Sequence, residues 1–177
     1  MSNGISGLLL EKLREQVERT EHLISLIPSG QADWHPKLLS IDDPNFFRLN
    51  ELLFHLTECL AGFCAALYAA YKDQLADFAR LRNVPLNHSC EAEEAKALLG
   101  IYMSHIEEGF ALLTDDDLSR QIPTIFVREG EALFTILIGN LEHYINHKYQ
   151  LFFYLKMLGV PVKTPDLYHL RQDRGSS

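Results

Sequence analysis

From Leu49 to Tyr71 the chain is apolar on nearly every side of a helix, so this segment has to be surrounded by other elements. Three further segments carry apolar residues at helical spacing. The first runs roughly from Ile5 to Ile27, with Leu9, Leu13, Val17, Ile24 and Ile27 on one side. Glu11, Arg14, Glu15, Glu18 and Arg19 lie on the other, and Pro28-Ser29-Gly30 stops the helix. The apolar segment itself belongs to a second helix that starts after Pro44 and extends to roughly Arg80, before a turn at Val84-Pro85-Leu86-Asn87. The third, roughly Glu91 to Leu113, turns Ala95, Leu98, Leu99, Tyr102, Ile106 and Phe110 inward. Ser89 is its expected N-cap, and Glu91, Glu93 and Glu94 suit the positive end of the helix dipole. The fourth runs roughly from Glu131 to Leu158, where Gly159 and Pro161 end it.

The connector from Gln31 to Asn45 contains Pro36 and Pro44, so it is no continuous helix; Trp34, Leu38, Leu39 and Ile41 are expected to pack onto the bundle. Between Thr114 and Gly130 the helical pattern breaks, and Ile122 to Val127 reads as a short extended piece. Strands do not alternate with helices, which excludes an α/β fold. The expectation is an all-α, antiparallel four-helix bundle in one domain over residues 1–177, with a poorly ordered tail after about residue 168.

A net charge of −8 argues against nucleic acid as a partner, since phosphate binding needs a concentrated basic face. Arg80-Leu81-Arg82, the densest basic stretch, is too short to be one. The apolar run Leu8-Leu9-Leu10 ends at Glu11, too early for a signal peptide, and no stretch of about 18 uninterrupted apolar residues offers a membrane span. The expected location is the cytoplasm, with no membrane partner. Cys59, Cys64 and Cys90 lack the Cys-x-x-Cys spacing and read as reduced structural thiols.

Chemistry enters with the histidines. His143 and His147 are four apart, which puts both imidazoles on one helix face within reach of one metal ion. Gln150, Leu151, Tyr154 and Leu158 continue that face, so the pair is expected to point inward. Taken alone, such a pair is as ordinary on a surface or as hydrogen-bonded core residues. His55 interrupts Leu52-Leu53-Phe54-His55-Leu56 in the most apolar helix, where a single histidine also has an ordinary reading as a satisfied core residue. Three buried imidazoles from two helices need partners for their nitrogens, and a bundle core is a usual place for a metal. His22, His35, His88, His105 and His169 have no ligand-spaced partner, although His105 is on the inward side of its helix. The aromatic run Tyr149 to Tyr154 reads as core. Paired Glu-x-x-His motifs, a His-Glu-x-x-His motif, a Gly-x-Ser-x-Gly elbow and a phosphate-binding glycine loop are all absent from the sequence.

Trp34-His35-Pro36, Leu52-Leu53-Phe54-His55-Leu56 and His143-Tyr144-Ile145-Asn146-His147-Lys148-Tyr149-Gln150-Leu151, followed by Tyr154-Leu155 and Leu158-Gly159, resemble the DinB family of DinB/YfiT-like metal-binding bundles. Helix order and length agree across nearly the whole chain, and His-x-x-x-His-x-x-Gln-Leu is the most specific piece. The resemblance implies a divalent ion (nickel, zinc or iron) on His55, His143 and His147, and a homodimer. It also implies a small-molecule substrate, with transfer of a low-molecular-weight thiol to an electrophile as the leading reaction. Metal-dependent hydrolysis and a non-enzymatic stress-response bundle are the alternatives. Asn146-His147-Lys148 departs from the family's commoner bulky or histidine-rich positions. Catalytic residues beyond the ligands are not identified; Glu51, Glu58, Glu142 and Asn146 lie within a turn of them.

Overall fold

The computed structural model describes residues 4–36, 46–71, 75, 88–123 and 128–168. Its elements, in chain order, are α1 (Ile5–Ser25), α2 (Leu49–Tyr71), α3 (Ala92–Leu112), a 3-10 turn (Asp116–Ser119), β1 (Gln121–Ile122), β2 (Glu131–Ala132), α4 (Leu133–Met157) and the one-turn α5 (Thr164–Leu167). The four long helices form a bundle in which α1 and α2 each pack against both α3 and α4.

Packing explains the pattern of each helix. In α1 the stripe Leu9, Leu13, Val17, Leu23 and Ile24 is buried, while α2 buries residues around nearly its whole circumference, as its sequence requires. By length and composition α2 is apolar enough to cross a membrane, yet α3 and α4 take up its surface and 61% of its most apolar window is buried. Leu52, Leu56, Leu60, Phe63 and Leu67 are fully buried, each contributing about 1.5–3 kcal/mol by removal from water. Close approach of the helices depends on two glycines. A Cβ at Gly109 would sit 2.8 Å from Cδ1 of Leu67, and one at Gly62 would sit 3.1 Å from Oδ1 of Asn140.

Helix ends depart from the sequence expectations in instructive ways. The Ser89 cap is not formed; Glu91 stands at the N-cap position of α3 without a side-chain cap bond. The α1 N-terminus is capped from far along the chain: backbone N–H groups of Ile5 and Ser6 donate to the Asp115 carboxylate at 2.9 Å, and Ser6 Oγ donates to it at 2.8 Å. These bonds hold the Asp115 pKa below the usual carboxylate range. Gly4 has no side chain for the same reason, because a Cβ there would collide with that carboxylate. Arg120 Nη1 donates to the Ala70 carbonyl at 2.8 Å, satisfying an acceptor in the last turn of α2. At the end of α4, Val160 N–H donates to the Leu155 carbonyl and Gly159 N–H to the Lys156 carbonyl, a Schellman stop with Gly159 at φ +81°.

Glu131 and Ala132 are not helical. They pair antiparallel with Gln121 and Ile122 (Gln121 opposite Ala132, Ile122 opposite Glu131), so the extended piece expected at Ile122 is one side of a two-residue ladder. The connector behaves as expected where it is described. Leu49 N–H donates to the Trp34 carbonyl, Asn50 N–H to the Ala32 carbonyl, and the Trp34 ring meets Tyr154 edge-on with centroids 5.2 Å apart. Leu38, Leu39, Ile41 and Pro44, residues 72–74 and 76–87 of the second helix and its turn, 124–127 and the tail from 169 lie outside the described residues.

Lys148 was not expected in the core. It is 1% exposed, and its Nζ donates to Gln16 Oε1 at 2.6 Å and to the Leu167 carbonyl at 2.9 Å. Burial lowers its pKa to about 8. With the His22–Asp166 contact at 2.7 Å, this ties α5 to α1 and α4. A helix of one turn is too short to show an apolar period, so the sequence pattern passed over it.

Candidate metal centre

The buried stripe of α4 runs Leu133, Leu137, Leu141, Tyr144, Lys148, Leu151 and Leu155. His143 and His147 each precede a stripe residue by one position and therefore flank the core instead of entering it. This corrects the expectation of a buried pair: His143 is exposed, and His147 and His55 are half-buried. Such a position leaves imidazoles reachable by solutes. The aromatic run is corrected similarly, since Phe152 and Tyr154 are buried but Tyr149 and Phe153 are exposed.

The structure brings His143 and His147 each against His55. Nε2 of His55 is 3.2 Å from Nε2 of His143 and 3.1 Å from Nε2 of His147. The His143 and His147 ring centroids are 4.6 Å apart, with planes at 78°. Two nitrogens bound to one ion at about 2.0–2.1 Å stand about 2.9 Å apart at a right angle and about 3.4 Å apart at the tetrahedral angle. Both separations from His55 lie between these values, so each pair has the spacing of two nitrogens on one divalent ion.

The outer nitrogens of His147 and His55 face hydrogen-bond partners, as those of metal-ligating imidazoles do. His147 Nδ1–H donates to Gln150 Oε1 at 2.9 Å, Gln150 Nε2 donates to the Tyr154 hydroxyl at 2.9 Å, and that hydroxyl donates to the Phe47 carbonyl at 2.9 Å. Every group in this relay has its proton assigned by the next, which leaves the lone pair of His147 Nε2 free to face His55. His55 Nδ1 faces Glu58 Oε2 at 3.3 Å, and the Phe47 ring stacks on His55 with centroids 4.9 Å apart. Two such lone pairs facing each other repel unless a cation stands between them. Burial, followed by the charge of His55, lowers the His143 pKa, and burial also leads the lowering at His147.

Of the acidic and amide neighbours singled out in the sequence, Glu58 faces His55. Glu51 instead accepts from Arg48 N–H at 2.7 Å, and Glu142 and Asn146 are exposed. Gln150 was missed as a partner, although its i+3 spacing from His147 would have found it. Cys59 was read as a small hydrophobe. It is buried, a free thiol, and pushed up to about 12 by burial and then by Glu58. Yet ligand atoms of His55, Cys59 and His143 lie within 4.8 Å of one another, a group able to hold a metal ion. His105 stays apart, with Nδ1 3.8 Å from Glu108 Oε2. A cavity of about 290 Å³ opens beside His55, walled by Phe46, Phe47, Phe54 and Glu58.

No protein-family model matches the chain, and no curated protein sequence matches it. Among solved structures, the bundle is similar to a DinB-like protein, YjoA, from Bacillus subtilis. The sequences are 17% identical, the match covers 86% of this chain and 92% of that one, and the TM-score is 0.63. At that identity the likeness speaks for the fold, and the fold is DinB-like.

Proposed function

We propose that this DinB-like bundle is a metal-dependent enzyme in which His55, His143 and His147 hold one divalent ion and a low-molecular-weight thiol is transferred to a small electrophile. The observation that carries the reading is the approach of His55 Nε2 to Nε2 of His143 and of His147 at 3.2 and 3.1 Å, with the opposite nitrogens of His55 and His147 facing Glu58 and Gln150. Three imidazoles on the rim of the core leave coordination positions for other molecules, the arrangement of catalytic zinc-type sites. A bound divalent ion supplies Lewis acidity that makes a thiol or water nucleophilic near neutral pH.

The chain's own residues supply orientation and shelter. Gln150 keeps a proton on Nδ1 of His147, Glu58 does the same for His55, and Phe47 covers one face of the His55 ring. The adjoining cavity has the size for a small molecule. Imidazole suits nickel, zinc and iron alike. We place this chemistry in the cytoplasm, where the three free cysteines stay reduced.

Metal analysis tests the site. Protein purified without chelator carries about one divalent ion per chain by the site's stoichiometry, and His143→Ala removes most of it. Full metal retention by the triple His55, His143, His147 alanine variant overturns the ligand assignment. The reaction is tested by free-thiol consumption with a chloronitrobenzene electrophile, where turnover equal in loaded wild type and His55→Ala would exclude metal-assisted transfer.

A further inference from the structure

Cys59 lies one helical turn beyond His55 on α2, so its thiol leaves the helix on the same side. It is 6% exposed, whereas His143 is exposed, so sulfur reaches the histidines from the core and solvent reaches them from outside. A buried cysteine ordinarily serves as a small hydrophobe, a role that does not require it to stand beside imidazole nitrogens. Here its Sγ and ligand atoms of His55 and His143 all lie within 4.8 Å of one another. Sulfur bonds such ions at about 2.3 Å, so sulfur and nitrogen sharing one ion stand about 3.5 Å apart. The Cα–Cβ bond of Cys59 is the torsion that would bring Sγ toward that separation.

Resting on the three-histidine reading, we infer that Cys59 is a fourth donor to the same ion, an internal thiol that competes with an external one. On binding, the S–H bond breaks, its proton passes to solvent, and a sulfur–metal bond forms with no change of oxidation state. The centre then favours ions that accept sulfur, such as zinc and cobalt(II), over magnesium or manganese. An incoming thiol has to displace Cys59 or add beside it.

Cobalt(II) loaded into the full chain, without added thiol, reads this directly. Wild type shows visible ligand-field bands and a near-ultraviolet thiolate-to-cobalt charge-transfer band. Cys59→Ser loses the charge-transfer band and keeps the visible bands, and Cys64→Ala keeps both. A wild-type spectrum without the near-ultraviolet band, or its persistence in Cys59→Ser, overturns the role of Cys59 while visible bands leave the histidine site standing. Absence of any cobalt spectrum overturns both. Should Cys59→Ser not fold, by the helical circular dichroism of the apo form, X-ray absorption on zinc-loaded wild type decides. One sulfur at about 2.3 Å supports the inference, and a shell of nitrogen and oxygen alone overturns it.

Discussion

Gln150 accepts the Nδ1 proton of His147 at 2.9 Å, one turn further along α4, and passes a hydrogen bond of its own to the Tyr154 hydroxyl. The side chain that orients His147 is thus anchored on the same helix, and through Tyr154 it reaches the backbone of Phe47. This relay joins the segment just before α2 to α4, beside the edge-on contact of Trp34 with Tyr154.

Removing the amide should therefore weaken metal binding without unfolding the bundle. Gln150→Leu is expected to cost about 10–100-fold in metal affinity, the usual effect of losing an outer partner of a ligand histidine. Competition against a chromophoric chelator measures it. Tyr154→Phe should have a smaller effect, since it removes a link one step further out. Unchanged affinity in Gln150→Leu would show that the relay does not tune the site.

Acid should strip the ion and its stabilisation together. Metal-bound imidazole is deprotonated, so protons compete with the ion increasingly below about pH 6.5. Losing an ion that binds only the folded site lowers the melting temperature. The apo protein has a related trend of the same sign. His143 and His147 have lowered folded pKa values, so the unfolded chain binds more protons as pH falls through about 6.5. Metal-induced stabilisation, measured as the difference between melting curves with and without excess metal, is expected to fade between roughly pH 7 and 5. His55→Ala should lack it throughout. A difference constant down to pH 5 would point to carboxylate ligands.

Asp115 links the loop before β1 to the first turn of α1, so Asp115→Ala should lower the melting temperature through loss of a cap. Its folded pKa is lowered, so the stabilisation is present above the unfolded value of about 3.9 and disappears as pH falls through the folded value. Wild type and variant should thus differ at neutral pH and converge in strong acid. A gap that survived at low pH would mean that the carboxylate charge is not what caps the helix.

Tyr149, Phe153 and Met157 follow one another at four-residue spacing on α4 and are 54%, 50% and 38% exposed. The sequence alone had offered no clear surface patch. We propose that this stripe supports a homodimer. Sedimentation at high micromolar concentration should give about twice the 20.2 kDa chain mass, and Phe153→Lys should shift it toward the monomer. Wild type sedimenting at the chain mass would count against self-association.

How much of this was legible beforehand differs by element. The four helices could be read from the sequence because the apolar period of each is a local property, and because α2, apolar all round, can only be a central helix. His143 and His147 share a face for an equally local reason, the four-residue spacing. Whether His55 met them depended on the packing of α2 against α4, and no spacing within one helix encodes that distance. Contacts between residues far apart in sequence were likewise decided by tertiary structure: Asp115 capping α1, Lys148 buried between Gln16 and Leu167, and Cys59 brought beside the imidazoles. The exposure of His143 belongs with these. Helical periodicity identifies the stripe that faces inward, but the width of the buried band is set by how closely neighbouring helices approach, and His143 falls just beyond its edge.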